Sequence, residues 1–191
     1  MRNLYARPYQ VVASGRFALM LCDIHEALNI NPDQANVNAK FVRKAISSGC
    51  QWALDMEHIG QNIPSEQINS ETVDFVSNVF DMYEIIEVSF DSLNPQDKQH
   101  VLDESSAISS EFEGFDGNNE SDYKLVARFL VDEMDRFHRI GEKANINSHC
   151  PKVDKYKAML DTFLPMRNEF GVGAPLSREQ LIAILGSRVN P

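Results

Sequence analysis

Apolar side chains return along this chain every third or fourth residue and almost never every second one. That spacing marks helices that bury one face, because positions i, i+3, i+4 and i+7 line one side of a 3.6-residue turn. Phe17, Leu21, Ile24 and Leu28 predict a first helix from near Ser14 to Leu28. Asn31-Pro32-Asp33 breaks it, and Asp33 is placed to cap a second helix that carries Val37, Phe41, Ala45 and Ile46 and stops at Gly49. A shorter segment holds Trp52 and Met56 one turn apart and ends at Gly60. The clearest helix spans Ser70 to Leu93, with Val73, Val76, Phe80, Tyr83 and Ile86 on its apolar face. Asn94-Pro95 restarts the chain as cap and first helical residue, where a missing N–H costs nothing. A helix through Val101 and Leu102 follows, then a turn from Phe112 to Gly117 with two aromatic anchors.

Asn119 to Ile140 reads as a second long helix, with Tyr123, Val126, Leu130, Met134 and Phe137 on one face. Gly141 to Pro151 is expected to be a loop, and Tyr156, Met159, Leu160 and Phe163 belong to another helix. Pro165 to Pro175 reads as irregular, and Ser177 with Gln180 has the spacing of a capping box opening a last helix. Val88-Ser89-Phe90 is too short for a strand. The expectation is an all-α, multihelical protein with two long central helices and shorter ones packed around them. It forms one domain over residues 1–191, with lobes 1–93 and 94–191 meeting near Asn94.

The 191 residues, 43% hydrophobic and 24% charged, fit an ordinary globular domain. No stretch approaches the ~20 apolar residues a membrane-spanning helix needs, and the N-terminus lacks a signal-peptide core. Cys22, Cys50 and Cys150 are odd in number and far apart, which is no disulfide framework and suggests a reducing cytoplasm. The Asn119-Glu120-Ser121 sequon is then a chance match. A net charge of -10 disfavours sequence-independent nucleic-acid binding, which depends on Lys and Arg neutralising phosphates.

Charge is unevenly spread. Residues 66–122 hold 15 acids against one base, Lys98, whereas residues 123–167 hold nine bases against six acids. Glu71, Asp74, Asp81, Glu84 and Asp91 form an acidic stripe opposite the apolar face of the Ser70–Leu93 helix. It reads as a solvated face or as a docking surface for the basic half, a second copy or a basic partner. Lys124, Arg128, Arg136, Arg139, Lys152 and Lys155 form a basic cluster on two helices joined by one loop. That cluster could meet an anion or phosphate. The competing reading is local pairing, because Glu120–Lys124, Asp132–Arg136 and Asp135–Arg139 are all four residues apart.

Catalytic patterns are sparse. Asp55-x-x-His58 and Asp135-x-x-His138 echo the Glu-x-x-His pairs of dinuclear carboxylate bundles, but with shorter acids and no matching Glu on other helices. Cys22-x-x-His25 is half of a zinc site whose other half has no ligand spacing, unless His149-Cys150 converges on it. Cys50, after Gly49, could sit at a helix start that lowers a thiol pKa, though a small buried hydrophobe is the plainer reading. No nucleophile elbow is present, and Gly171-Val172-Gly173 lacks the strand–turn–helix context of a phosphate loop. No metal site and no cofactor are expected.

One ordered series remains. It comprises Met82-Tyr83 with Val88-Ser89-Phe90; Phe112-Glu113-Gly114-Phe115-Asp116; Tyr123 with Arg128-Phe129 and Arg136-Phe137; Asn147-Ser148 with Pro151; Lys155-Tyr156 with Met159-Leu160; and Leu176-Ser177. In this order and spacing the chain resembles the YfbU family of bacterial helical proteins. The resemblance implies a multihelical all-α fold, a bacterial or phage setting and a cytoplasmic location, and it carries over no catalytic residue. The expected function is a non-enzymatic regulatory or protein-interaction role with self-association. The alternative is a hydrolase or nuclease-like enzyme with a site between the lobes that uses His138, Asp135 or Cys50.

Overall fold

The computed structural model describes residues 7–30, 38–57, 70–170 and 175–187. Eight α-helices lie among them: α1 (Arg7–Ala27), α2 (Ala39–Ser47), α3 (Trp52–Glu57), α4 (Ser70–Asp91), α5 (Pro95–Ser105), α6 (Ser121–Arg128), α7 (Val153–Phe170) and α8 (Arg178–Leu185). Among the described residues no strand forms beyond an isolated parallel bridge between Phe115 and Asn147, so the fold is all-α and multihelical. The chain divides into two compact units, Met1–Asn69 and Ser70–Pro191. The division falls just before α4 rather than near Asn94, because α4 packs on α6, α7 and α8.

In the first unit α1 lies against α2. Asn38 caps α2, its Oδ1 accepting from the N–H of Phe41 at 3.1 Å. Asp33, Val37 and Gly60, assigned to helix ends or faces by the sequence, lie outside the described residues. Gly49 turns into the left-handed region at φ 72° and lets Cys50 N–H reach Ala45 O at 2.7 Å, which closes α2. Phe41, Ala45, Cys50, Trp52 and Ala53 are buried. Arg43 reaches from α2 to α1, donating to Asp23 at 2.8 Å and to Glu26 at 3.2 Å.

In the second unit the predicted face of α4 is the buried one: Val73, Val76, Phe80, Tyr83 and Ile86 all lie inside. Asn94 caps α5, accepting from the N–H groups of Gln96 and Asp97, with Pro95 in the first turn as expected. Ser177 and Gln180 form the expected capping box on α8. Removing the cap by Ser177→Ala should cost about 1 kcal/mol, read as a lower urea midpoint at unchanged m-value.

The second long helix does not run from Asn119 to Ile140. α6 stops at Arg128, widens into one π turn over Phe129–Glu133, and then reverses through Asp135 and Phe137, both at positive φ. Apolar spacing reports burial, not backbone hydrogen bonding. Leu130 is still buried, and the Phe137 ring still meets Phe80 edge-on at 5.2 Å, but a bent chain delivers them. The second long helix of this unit is α7 instead. It continues through Pro165, expected to begin an irregular stretch, as far as Phe170. Pro165 and Asp161, whose carbonyl loses its helical donor, are both exposed, so water can satisfy that carbonyl. Gly171 and Gly173 lie outside the described residues, and the expected loop 141–151 contains a 3₁₀ turn over Gly141–Asn145.

These elements meet on an aromatic hub. Phe80 and Tyr83 of α4, Phe112 and Phe115 of the connecting turn, and Tyr156 of α7 stack mostly edge-to-face, with ring centres 5.2–5.6 Å apart. Tyr156 Oη donates to Gly114 O at 2.8 Å, and Tyr83 Oη to Met159 Sδ at 3.7 Å. Burial pushes both phenols well above the ordinary tyrosine range.

Candidate functional site

The turn that carries Phe112 and Phe115 also carries three buried or half-buried carboxylates, each with a distinct job. Asp116 is buried and accepts from Asn118 N–H at 3.0 Å and Asn119 Nδ2 at 2.6 Å. These hydrogen bonds hold its carboxyl below the usual range. Glu120 is also buried, and its Oε2 accepts from Asp116 N–H at 2.9 Å. Its Oε1 accepts from Lys152 and Val153 N–H, both at 2.7 Å, which caps α7 from a distant segment. Asn147 Oδ1 accepts from Gly117 N–H at 3.0 Å, tying the 3₁₀ side to the same turn. Glu113 faces outward, clamped between the ammonium groups of Lys152 and Lys155.

This clamp floors a shallow, open depression of about 370 Å³, bordered by Ser106, Ile108 and Leu185. Partial burial raises the Glu113 pKa, but the two lysine hydrogen bonds outweigh it and hold the carboxyl below its ordinary value. Burial disfavours the charged form of Lys152, yet its contact with Glu113 leaves it above its ordinary value. Neither group therefore changes charge near neutrality, so the clamp is poorly suited to general acid–base work. Its stabilisation is present above the ordinary carboxylate value near 4.5 and is lost as pH falls through the lower folded value. For Lys152 the contribution holds below 10.5 and is lost as pH rises through the raised folded value. Glu113→Gln should cost about 1 kcal/mol at pH 7, a modest figure because the clamp is partly screened by solvent. It should also flatten the fall in stability between pH 5 and pH 3, measured by urea unfolding across that range.

The other basic residues do not converge on this depression. Arg128 lies 4.0 Å from Asp132, Arg139 lies 3.6 Å from Asp91, Arg136 rests over the Phe137 ring, and Lys124 approaches Gly117. The expected same-helix pairs Glu120–Lys124, Asp132–Arg136 and Asp135–Arg139 are not among the ion pairs of the described residues. Glu120 is committed to backbone N–H groups, and the bend after Glu133 removes Asp135 from helical register. The acidic stripe is partly covered by this same basic half. Asp81 meets Arg167 at 3.2 Å, Glu84 accepts from Arg139 N–H at 3.3 Å, and Asp91 meets Arg139 and Lys98. Glu71 and Asp74, at the start of α4, are exposed. The charge asymmetry thus acts within the second unit, holding α4 against the segments that follow it.

The catalytic candidates are dispersed. Asp135 and His138 are 94% and 77% exposed, 3.7 Å apart on an open reversal rather than on one helix face. Cys50 is buried in the first unit. Cys22 is buried, and that burial pushes its thiol up. Cys150 is exposed. His58 lies outside the described residues. Among the described residues no group of three or more His, Cys, Asp and Glu could hold a metal ion, and no helix is long and apolar enough to cross a membrane.

The feature that sequence reasoning misjudged is α1. The stripe expected to face a core is the exposed one: Phe17 is 59% exposed, Met20 48%, Leu21 49%, Ile24 48% and Leu28 67%. At 100° per residue these five fall within an arc of about 100°, and Cys22, the buried residue, lies on the opposite side. Exposed contiguous apolar surface beyond a few hundred Å² is unusual for a monomer. One signal was available: apolar residues occur on nearly every side of α1, the pattern of a helix covered on more than one face.

Comparison with known proteins adds the family. The chain is 28% identical over 150 residues to the UPF0304 protein MJECS11 of the archaeon Methanocaldococcus jannaschii, covering 75% of this chain and 82% of that protein. No solved structure matches. The model of the YfbU domain matches residues 16–186, from the apolar stripe of α1 through the end of α8, and the chain belongs to the YfbU family.

Proposed function

We propose that this protein is a non-enzymatic regulatory or interaction protein of the cytoplasm that works by binding protein surfaces, its own included. The observation that carries the reading is the uncovered apolar face of α1. The charged groups of the second unit support it from the other side. Asp81 with Arg167, Asp91 with Arg139, and Glu113 with Lys152 and Lys155 are engaged as ion pairs, and this pairing stabilises a scaffold. The same pairing disfavours nucleic acid as a partner, since phosphates would have to displace Glu113 and Asp91 from the basic residues.

Static light scattering at rising protein concentration, in low and in 1 M salt, tests this reading. Association through an apolar face persists in high salt, whereas association between acidic and basic patches is screened away. The expected result is a mass above that of one chain in both buffers. A strict monomer in both, or multiple-turnover conversion of any substrate that one side-chain change abolishes, would overturn it.

A further inference from the structure

The structure points to what covers α1, resting on the reading of this protein as self-associating: we propose that the part of this face formed by Phe17, Met20 and Leu21 pairs antiparallel with the same residues of a second copy across a two-fold axis near Leu19 and Met20. A homodimer built on a two-fold axis needs a patch that is complementary to itself, and α1 has the features for one.

Arg16 and Asp23 stand seven residues apart, both exposed and both on the same flank of the apolar stripe. In an antiparallel two-fold pair, a given flank of one helix meets the same flank of the other. Arg16 of one copy then comes opposite Asp23 of the second, and the reverse contact forms symmetrically. Asp23 keeps capacity for this although Arg43 already reaches it, because its side chain is 68% exposed and a carboxylate accepts several hydrogen bonds. In a parallel pair that flank would instead meet the one carrying Ala18 and His25, with no carboxylate opposite Arg16. Antiparallel pairing also opposes the two helix dipoles. Phe17, Met20 and Leu21, each about half exposed, form the apolar centre beside the axis, with Arg16 and Asp23 on its polar rim. The alternative charge-driven dimer through the stripe on α4 would set like charges together where Glu71 and Asp74 are exposed.

Disulfide trapping tests the arrangement in the full-length protein, with Cys150, the exposed thiol, changed to Ser. Met20→Cys sits beside the proposed axis and should oxidise to a covalent dimer at least tenfold faster than Leu28→Cys. The latter's two copies would lie about 25 Å apart at 1.5 Å per residue. Equal trapping at both positions, as a parallel pair gives, would overturn the proposal. So would failure of Met20→Cys while sedimentation of the same sample shows a dimer, an outcome that leaves self-association itself standing. A sample that sediments as a monomer at every concentration would overturn both the arrangement and the reading beneath it.

Discussion

Gly114→Ala should destabilise the second unit by about 3 kcal/mol or more, among the largest losses available from a single added methyl. Gly114 sits at φ +85°, and a Cβ there would lie 2.4 Å from the carbonyl oxygen of Ile146, a backbone atom that cannot rotate aside. Relief requires the Phe112–Asp116 turn to part from the 3₁₀ segment. That movement breaks the Phe115–Asn147 bridge and shifts the acceptor of the Tyr156 hydroxyl. Gly141→Ala is the matched control. Gly141 is also at positive φ, but a Cβ there meets nothing within 4 Å. It should lose only about 1 kcal/mol, the left-handed penalty alone. Urea unfolding followed by tyrosine fluorescence separates the two. Equal losses would mean that the close approach to Ile146 is not a structural constraint.

Glu120→Ala comes next, with an expected loss of about 3 kcal/mol. The carboxylate is buried and is the hydrogen-bond acceptor for three backbone N–H groups, on Asp116, Lys152 and Val153. Removing it leaves those donors inside without partners, and each unsatisfied buried group costs roughly 1–3 kcal/mol. Glu120→Gln keeps one acceptor oxygen and should lose about half as much, with the amide exchange of Lys152 and Val153 accelerated most if the amide NH₂ faces α7. Hydrogen exchange of those two N–H groups reads the effect directly. Protection unchanged in the Ala variant would show that α7 does not depend on this cap.

Both sites lie within the stretch whose residues resemble the YfbU family, which helps explain why that resemblance carries no chemistry. Phe112, Gly114, Phe115 and Asp116 build a packed turn, Asn147 ties it to the next segment, and Tyr156 with Met159 closes it from α7. Tyr83 and Tyr156 were legible because their burial follows helical spacing, and Phe112 and Phe115 because they stand as aromatic anchors in a glycine-containing turn. The role of Glu120 was not, because its spacing to Lys124 suggests an ordinary surface pair and only tertiary structure brings it to the start of α7. The bend after Glu133 was hidden for a related reason: Leu130 and Phe137 are inward whether the chain is straight or reversed. Helix α1 shows the opposite failure. Its periodicity located an apolar face correctly, but periodicity does not distinguish a face turned to the chain's own core from one turned outward. The cap at Asn94, the capping box at Ser177 and the helical class were all readable, since each depends on residues close together in sequence.

The central claim, that this protein acts through the apolar face of α1, is tested most directly by sedimentation of the wild type beside a Leu21→Glu, Ile24→Glu double variant. Both residues are about half exposed, so the change should leave folding within about 0.5 kcal/mol of the wild type. The near-ultraviolet signal of the aromatic hub verifies that the fold is retained. The account predicts a wild type that associates in the micromolar range and a folded variant that stays monomeric at tenfold higher concentration. A folded variant that associates as strongly as the wild type would contradict it.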